Sequence, residues 1–269
     1  MKNLKNKIAL VTGAASGIGR ATSIAFAREG CDVVITDVNG EGLKPVAEEI
    51  KGLGRRALSV KADISNKNDV KILCGKALKE FGRVDVLINN AGVALYAEIK
   101  DMDLEDWEWI MGINLWGSIY TLNSLLPQMV ENKCGHIVNV SSWAGLVGFG
   151  GNGAYCVTKF GVVGLSEVLR TEMERFNIGV TVVCPGAVQT NIFNSVKLKG
   201  FKKDIRKMPV FLSLTPEGMA KRIIRAVKRN KPQVITGVGK LGYLLKRISP
   251  AAGRFISRSG LVVFSKYKE

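Results

Sequence analysis

The chain has 269 residues, of which 46% are hydrophobic and 23% charged, and its formal net charge is +16. That length is enough to bury a large core within one domain. The five cysteines are odd in number and widely spaced, so they indicate a reduced, cytosolic environment and exclude a disulfide framework. They show no metal-binding spacing and the chain has a single histidine, so we expect no metal site.

Apolar, strand-like runs recur along the chain, and helical patterns fill the gaps between them. The runs lie near residues 8–12, 32–37, 57–61, 84–88, 135–141, 179–184 and 232–235. This alternation predicts an α/β fold of Rossmann type, a doubly wound parallel sheet of about seven strands with helices on both faces. No repeat or linker interrupts the pattern, so residues 1–269 are predicted to form a single domain. The lysine-containing N-terminus lacks the long apolar core of a signal peptide.

The first strand-like run leads directly into a glycine-rich turn and then into a helical pattern. The turn contains Gly13, Ser16, Gly17, Ile18 and Gly19. Such a turn lets the backbone approach a pyrophosphate, and the helix N-terminus offers N–H groups and a positive dipole end to that anion. Asp37 ends the next strand-like run, which completes the context of the dinucleotide fingerprint.

The residue type at position 37 also bears on which nicotinamide dinucleotide is bound. A carboxylate there can accept hydrogen bonds from the ribose hydroxyls of the adenosine and would repel a 2′-phosphate. No lysine or arginine follows Asp37 in Asp37-Val-Asn-Gly. We therefore predict NAD(H) in preference to NADP(H).

A tyrosine and a lysine lie four residues apart in a predicted helix, so Tyr155 and Lys159 share one face. A free phenol has a pKa of about 10 and is a poor base at neutral pH. The nearby ammonium is expected to lower that pKa towards the range of general acid–base catalysis. Ser142 closes a strand-like run upstream and could polarise the same substrate oxygen. Taken alone, a Tyr-x-x-x-Lys pair is also compatible with an ordinary surface pair.

In combination, these motifs resemble those of the short-chain dehydrogenase/reductases in their single-domain form. The resemblance covers residues 5 to about 190. It rests on Thr12-Gly13-x-x-x-Gly17-x-Gly19, on Asn89-Asn90-Ala91-Gly92 and on Tyr155-x-x-x-Lys159. Asp63, in Ala62-Asp63-Ile64, and Asn114, in Ile113-Asn114-Leu115, match further family positions.

The resemblance implies a role for each matching residue. Asn114 would hold a water of the proton relay, Ser142 would orient the substrate oxygen, and Tyr155 would be the general acid/base. Lys159 would hold the nicotinamide ribose and lower the pKa of the tyrosine. Asp63 would contact the adenine, and the segment from Pro185 would lie beside the nicotinamide. The implied cofactor-binding set is Gly13, Ser16, Gly17, Ile18, Gly19, Asp37, Asp63, Ile64, Asn90, Ala91, Gly92, Tyr155, Lys159, Pro185, Gly186, Val188 and Thr190.

The predicted substrate region is apolar and aromatic. In the family, the segment after the sixth strand forms a lid, here about 188–213. Contacts to substrate are predicted for Ser142, Tyr155, Trp143 and Phe193. Because none of these four predicted contacts carries a fixed charge for a small acid, the prediction is NAD(H)-dependent interconversion of a secondary alcohol and a ketone on a lipophilic substrate. Two alternatives stay open: a 3-oxoacyl thioester reductase, and a non-enzymatic nucleotide-sensing or membrane-associated protein on the same fold.

Residues 109–130 hold no Asp, Glu, Lys or Arg, which is long enough to raise the question of a membrane span. Asn114, Asn123, Pro127 and Gln128 fall inside the stretch, and a spanning helix carries such polar content at a cost. We predict a long helix buried against the sheet and against another subunit. The predicted assembly is a homotetramer or homodimer.

The positive charge is concentrated at the C-terminal end. Residues 1–195 hold 20 Lys and Arg against 20 acids, whereas residues 196–269 hold 19 against 3, so the whole surplus of +16 lies in the last quarter. Residues 217–229 and 241–248 also repeat apolar residues at helical spacing. We predict a basic amphipathic extension over about 217–269, with Leu244, Leu245, Phe255 and Ile256 as apolar anchors and Lys246, Arg247, Arg254 and Arg258 among its cations.

Three interpretations of this extension stay open. It is a surface for an anionic membrane, a solvated basic face, or a site for another polyanion or an acidic cofactor-linked substrate. Nucleic acid is not expected as a partner, because few aromatic residues are interleaved with the charges and no nucleic-acid motif is present. The predicted location is the cytoplasm, with a peripheral contact at the inner face of a membrane under the first interpretation.

Overall fold

Strands and helices alternate along the chain in the order that the sequence predicts. The computed structural model describes residues 1–188, 196–200, 214–237 and 239–265. The strands in this part are β1 (Ile8–Thr12), β2 (Asp32–Asp37), β3 (Ala57–Lys61), β4 (Val86–Asn89), β5 (Leu95–Tyr96), β6 (Gly135–Val140), β7 (Ile178–Cys184), β8 (Lys197–Leu198) and β9 (Gln233–Ile235). The α-helices are α1 (Gly17–Arg28), α2 (Gly40–Gly52), α3 (Lys67–Phe81), α4 (Leu104–Met111), α5 (Gly117–Glu131), α6 (Gly153–Met173), α7 (Pro216–Lys228), α8 (Gly239–Ile248) and α9 (Pro250–Ser265).

Seven of the strands form one parallel sheet in the order β3-β2-β1-β4-β6-β7-β9. Each of the seven apolar runs in the sequence supplies one of these strands, so the predicted Rossmann-type sheet is confirmed. β1, β4, β6 and β7 are buried along their whole length. Helices cover both faces of a parallel sheet, which is why such strands appear in the sequence as uninterrupted apolar runs.

Helix α7 corrects the predicted boundary of the basic C-terminal extension. Its apolar face is buried in the main core, where Ile223 and Val227 share a cluster with Phe26 of α1. Lys228 forms an ion pair with Glu29 of α1, at 2.5 Å. The helical spacing of apolar residues predicts that α7 is amphipathic. In the structure, α1 and the seven-stranded sheet cover its apolar face. The helices left for an extension are therefore α8 and α9.

The uncharged stretch 109–130 is helical, as predicted. It includes the end of α4, a π-helical turn at Gly112–Trp116 and most of α5. One side is buried against the sheet, and on the other side the exposed Trp116 stacks on Tyr120 with ring centroids 5.7 Å apart. Among the described residues, no helix is both long and apolar enough to cross a membrane.

The only histidine of the chain lies fully buried in β6. Thr181 Oγ1 donates to the carbonyl of Lys231 at 2.6 Å, so it accepts from Nε2 of His136, 2.9 Å away. Burial lowers the pKa of His136 to about 3. Between about pH 6.5 and pH 3 the imidazole is therefore neutral in the folded protein, whereas an unfolded histidine is protonated.

This difference predicts an acid-sensitive component of stability. The unfolded chain binds a proton at His136 below a pKa of about 6.5 and the folded chain does not, so the free energy of unfolding falls as pH drops below that value. We expect a loss of about 2 kcal/mol between pH 7 and pH 5 from this group. Urea unfolding across that range measures it. A His136→Gln variant should show a flatter profile, and an unchanged slope in that variant would contradict the assignment.

Candidate active site

The glycine-rich turn after β1 requires glycine at defined positions. Gly13 and Gly17 have φ values of 65° and 54°, in the left-handed region that favours glycine. A Cβ on Gly19 would lie 2.0 Å from the carbonyl oxygen of Gly13, so the start of α1 is pressed against the turn. Ser16 stands at the N-cap of α1 without donating or accepting a capping bond through its side chain. The Ser16 side chain therefore leaves the first N–H groups of α1 uncapped, as an anion site needs.

The end of β4 locks this turn in place. The side-chain amide of Asn90 donates to the carbonyls of Thr12 at 2.9 Å and Gly13 at 3.2 Å. In return, Thr12 Oγ1 accepts from the backbone N–H groups of Asn90 and Ala91, both at 3.0 Å. The Asn-Asn-Ala-Gly segment and the glycine turn thus form one rigid unit at the carboxyl edge of the sheet.

Two carboxylates lie beside this unit at the ends of β2 and β3. Asp37 accepts from the backbone N–H groups of Ala15 and Asn39, at 3.0 Å each, and so fixes the glycine turn from the other side. A carboxylate has about four lone-pair sites, so acceptor capacity is left for ribose hydroxyls. Asp63 is exposed and accepts from Ser65, while the adjacent Ile64 is buried against Gly117.

A buried polar chain connects the sheet to the helices that carry the catalytic candidates. Thr121 of α5 donates to Asn89 of β4 at 2.7 Å, and Asn89 donates to Asn139 of β6 at 2.9 Å. Asn139 donates to Ser166 of α6, also at 2.9 Å. Buried polar groups of this kind are costly to leave unpaired, so these hydrogen bonds fix the position of α6. The sequence analysis missed Thr121, Asn139 and Ser166, because their spacing in the chain gives no signal of contact.

Tyr155 and Lys159 lie on the first turns of α6, opposite the end of β6. The Nζ atom of Lys159 is 5.6 Å from the ring centroid of Tyr155 and donates to the carbonyl of Val140 at 3.1 Å. Ser142 caps a short 3-10 helix, where its Oγ accepts from the backbone N–H of Ala144 at 3.1 Å. The Ser142 hydroxyl also interacts with the Tyr155 phenol.

Asn114 completes the group from the π-helical turn before α5. Its Oδ1 accepts from the backbone N–H of Val93 at 2.8 Å, and its Nδ2 donates to the carbonyl of Val93 at 2.9 Å. A Cβ on Gly92 would lie 3.1 Å from Asn114 Oδ1 and 3.3 Å from Lys159 Nζ. The structure therefore brings Asn114, Ser142, Tyr155 and Lys159 together next to the Asn-Asn-Ala-Gly segment.

The pKa of Tyr155 differs from what its four-residue spacing from Lys159 predicts. Burial raises the pKa of the Tyr155 phenol above its usual value, and the hydrogen bond with Ser142 opposes that rise. Burial also lowers the pKa of the Lys159 ammonium to about 8. The sequence predicts a lowered tyrosine pKa, whereas in the structure desolvation of the phenol is the largest effect and raises that pKa. Lys159 is itself buried and donates to Val140. The phenol is consequently protonated at neutral pH.

The predicted substrate and nicotinamide positions are only partly described. Trp143 packs edge-to-face on Phe149, with ring centroids 4.9 Å apart, and lies under α8, where a Cβ on Gly242 would be 3.0 Å from its ring. Pro185 accepts from the Trp143 N–H at 2.8 Å, Gly186 donates to Thr236, and Val188 is buried. Thr190, Phe193 and most of the predicted lid lie outside the described residues.

Residues 196–200 of the predicted lid are held by contacts that the sequence analysis missed. β8 pairs with β5, which carries Tyr96, and the Lys197 N–H donates to the Ala94 carbonyl at 3.1 Å. Lys197 and Lys199 both form ion pairs with Asp106, a fully buried carboxylate of α4. Strands of two residues leave no periodic signal, so this attachment could not be read from the sequence.

Comparison with known proteins agrees with this geometry. The family model of the short chain dehydrogenases matches residues 7–199. The chain therefore belongs to the short-chain dehydrogenase/reductase family, and it is an oxidoreductase of that family.

Individual relatives cover most of the chain. The 3-oxoacyl-(acyl-carrier-protein) reductase FabG of Thermotoga maritima is 32% identical over 234 residues, which are 87% of this chain and 95% of the relative. A CLA biosynthesis dehydrogenase/reductase of Lactiplantibacillus plantarum is 38% identical over 198 residues, 72% of this chain and 69% of the relative. A short chain dehydrogenase/reductase of Burkholderia phymatum, solved in complex with NAD, superposes with a TM-score of 0.83 at 26% identity, over 93% of this chain and 96% of that one.

Proposed function

We propose that the protein is an NAD(H)-dependent oxidoreductase that interconverts a secondary alcohol and a ketone on a lipophilic substrate, with Tyr155 as the general acid/base. The observation that carries the proposal is the convergence of Ser142, Tyr155 and Lys159 beside the glycine turn. The NAD complex of the Burkholderia phymatum protein supports the choice of cofactor. Assays of NADH oxidation against a panel of lipophilic ketones test it, and inactivity towards every class would overturn it.

The residues of the chain fit a nicotinamide dinucleotide. When bound, that cofactor supplies or accepts a hydride. The glycine turn and the start of α1 would hold its pyrophosphate, and Asp37 its adenosine ribose. Lys159 Nζ and Asn114 Oδ1 lie beside Gly92. Lys159 would donate to a hydroxyl of the nicotinamide ribose bound next to this segment.

In the proposed reaction, Tyr155 transfers the proton and Ser142 orients the substrate oxygen. During reduction, the Tyr155 hydroxyl gives its proton to the substrate oxygen, and during oxidation it takes that proton back. The Ser142 hydroxyl donates a hydrogen bond to the same oxygen and orients it. The raised pKa of Tyr155 keeps the phenol protonated, which is the form that reduction of a ketone requires.

The substrate class is proposed from the surroundings of Tyr155. On one side lies an apolar cluster with Leu95, Ile110 and Ala154, and Trp109 packs against it. Leu146 and Val147, in the loop after Ser142, belong to a second buried apolar cluster against which Trp143 packs. Apolar walls around a few polar groups suit a hydrophobic ligand.

A 3-oxoacyl thioester reductase is the second candidate. Its support is the reductase of Thermotoga maritima, which is 32% identical over 87% of this chain. The basic C-terminal quarter could receive an anionic carrier. A comparison of kcat/KM for acyl thioesters and for neutral ketones separates the two candidates, because only the thioester enzyme should prefer a substrate attached to an acidic carrier.

The preference for NAD(H) over NADP(H) predicts different effects for two substitutions of Asp37. Asp37→Ala removes an acceptor that holds Ala15 and should weaken NADH binding ten- to a hundredfold, since a hydrogen bond to a charged group contributes about 1.5–3 kcal/mol. Asp37→Asn keeps an oxygen acceptor and removes the charge, so it should mainly reduce the difference between the Kd values for NADH and NADPH. Fluorescence titration of both cofactors measures this. A parent protein that prefers NADPH would show the assignment to be wrong.

We also propose a homodimer or homotetramer that uses the exposed sides of α5 and α6. Trp116, in the π-helical turn that leads into α5, and Val157 and Val168 of α6 are large exposed apolar residues. Light scattering should give at least twice the monomer mass of 29.2 kDa. Val168→Glu should reduce the mass, whereas Ile72→Glu, an equally exposed position on α3, should not. A parent protein that is monomeric at micromolar concentration would rule out the assembly.

The proposed location is the cytoplasm, with a peripheral contact to the inner face of a membrane. The support for this location is the excess positive charge of residues 196–269. Nucleic acid is not proposed as a partner.

A further inference from the structure

Helices α8 and α9 have an inner face that packs on the loop following Ser142. Gly242 of α8 lies against the ring of Trp143, and Lys246 donates to the carbonyl of Leu146 at 2.8 Å. From α9, Ile256 joins the apolar cluster of Trp143 and Leu146. Lys246 and Ile256 are thus part of the packing and cannot serve as a free cation and a free anchor, which corrects two of the residues predicted for the extension.

The same two helices carry exposed apolar side chains, four on α8 and one on α9 among the described residues. Leu241 is 64%, Ile248 81% and Phe255 76% exposed, and Leu244 and Leu245 are exposed beside them. Single exposed apolar residues are ordinary, but five of them on two helices that pack on each other point to an interaction surface.

The same two helices carry exposed cations that have no acidic partner among the described residues. Lys240, Arg247, Arg254 and Arg258 are exposed, and no ion pair to them occurs within the described ranges. Residues 239–265 contain no Asp or Glu at all. Two copies of such a face would repel each other, and nucleic acid would leave the apolar side chains uncovered. A bilayer with anionic headgroups satisfies both features, because the apolar side chains enter the acyl boundary while the cations meet the headgroups.

We propose that α8 and α9 form a peripheral docking face for an anionic lipid bilayer. Leu241, Ile248 and Phe255 are its apolar anchors, and Arg247, Arg254 and Arg258 are its main cations. The inner face of these helices packs on the loop after Ser142. The bilayer, on their outer side, therefore lies one helix diameter, about 10 Å, from that loop. A lipophilic substrate dissolved in the bilayer would enter beside Trp143, an inference that rests on the proposed function.

Co-sedimentation of the full chain with vesicles tests the docking face. The protein should sediment with an equimolar mixture of phosphatidylcholine and phosphatidylglycerol and not with phosphatidylcholine alone, and rising salt should weaken binding. Replacing Arg247, Arg254 and Arg258 with Gln should lower partition roughly a hundredfold, since each cation near an anionic surface contributes about fivefold. Ile248→Ser with Phe255→Ser should also lower it.

A matched variant separates the docking face from the net charge. Replacing Lys221, Arg222 and Arg229 of α7 and its C-terminal end with Gln removes the same charge from a different surface, and it should leave partition nearly unchanged. An equal loss in that variant, equal partition to both vesicle types, or no binding to either would overturn the proposal.

Failure of the docking face and failure of the proposed function give different results. Turnover of a water-soluble ketone in the absence of vesicles should be the same in the parent and in the Arg247, Arg254 and Arg258 variant. If the parent is inactive on every ketone but binds anionic vesicles, the proposed function fails and the docking face stands. If the parent is active but does not sediment, the docking face alone is overturned.

Discussion

Tyr155→Phe should reduce kcat by about a hundredfold or more and leave the Kd for NADH nearly unchanged. The substitution keeps the aromatic ring in its packed position and removes only the hydroxyl that is proposed to give or take the proton. A positioned general acid–base group typically contributes a factor of about 10² to 10⁴. The contacts proposed for the pyrophosphate and the adenosine ribose lie on β1, α1 and β2, away from this hydroxyl. Steady-state rates and fluorescence titration with NADH measure the two quantities separately.

A second tyrosine provides the control for this substitution. Tyr120 lies on α5, stacked on Trp116 and outside the candidate site. Tyr120→Phe makes the same chemical change, and turnover should stay within a few-fold of the parent. Comparable activity in Tyr155→Phe and the parent would remove Tyr155 from the mechanism.

Gly19→Ala should abolish most cofactor binding while leaving the sheet folded. The new Cβ would lie 2.0 Å from the Gly13 carbonyl and 2.6 Å from the side-chain amide of Asn90, so the glycine turn must shift. Overpacking of this kind costs about 1–3 kcal/mol, which corresponds to a ten- to hundredfold weaker Kd if the cost falls on the cofactor-binding conformation. Titration with NADH measures the Kd, and circular dichroism checks the fold.

A glycine elsewhere serves as the matched control. Gly75 lies inside α3, and an added Cβ there has no neighbour within 4 Å. Gly75→Ala should therefore leave the Kd for NADH unchanged and raise stability slightly, because alanine is favoured over glycine in a helix by about 1 kcal/mol. Unchanged cofactor binding in Gly19→Ala would contradict the role given to the turn.

The sheet and the site were predictable because buried parallel strands leave continuous apolar runs. The carboxyl ends of such strands meet at one edge of the sheet. The sequence alone therefore places the glycine turn, Asp37 and the Asn-Asn-Ala-Gly segment together. The helical spacing of Tyr155 and Lys159 similarly fixed their common face.

Other features depend on burial, which spacing does not reveal. Amphipathic periodicity identifies α7 and α8 equally well, but only the structure shows that α1 covers the apolar face of α7. The direction of the Tyr155 pKa shift is another case, since desolvation is a property of the folded surroundings. The attachment of residues 196–200 to Asp106 depends on contacts between segments far apart in the chain.

Transfer of deuterium from NADH labelled at C4 of the nicotinamide tests the central proposal most directly. The parent protein should place the label on the carbinol carbon of a lipophilic alcohol formed from its ketone, and Tyr155→Phe should do so at least about a hundredfold more slowly. Mass spectrometry of the product measures both. The proposal would be contradicted if the parent bound NADH and transferred label to no ketone of the panel, or if Tyr155→Phe transferred it at the parent rate.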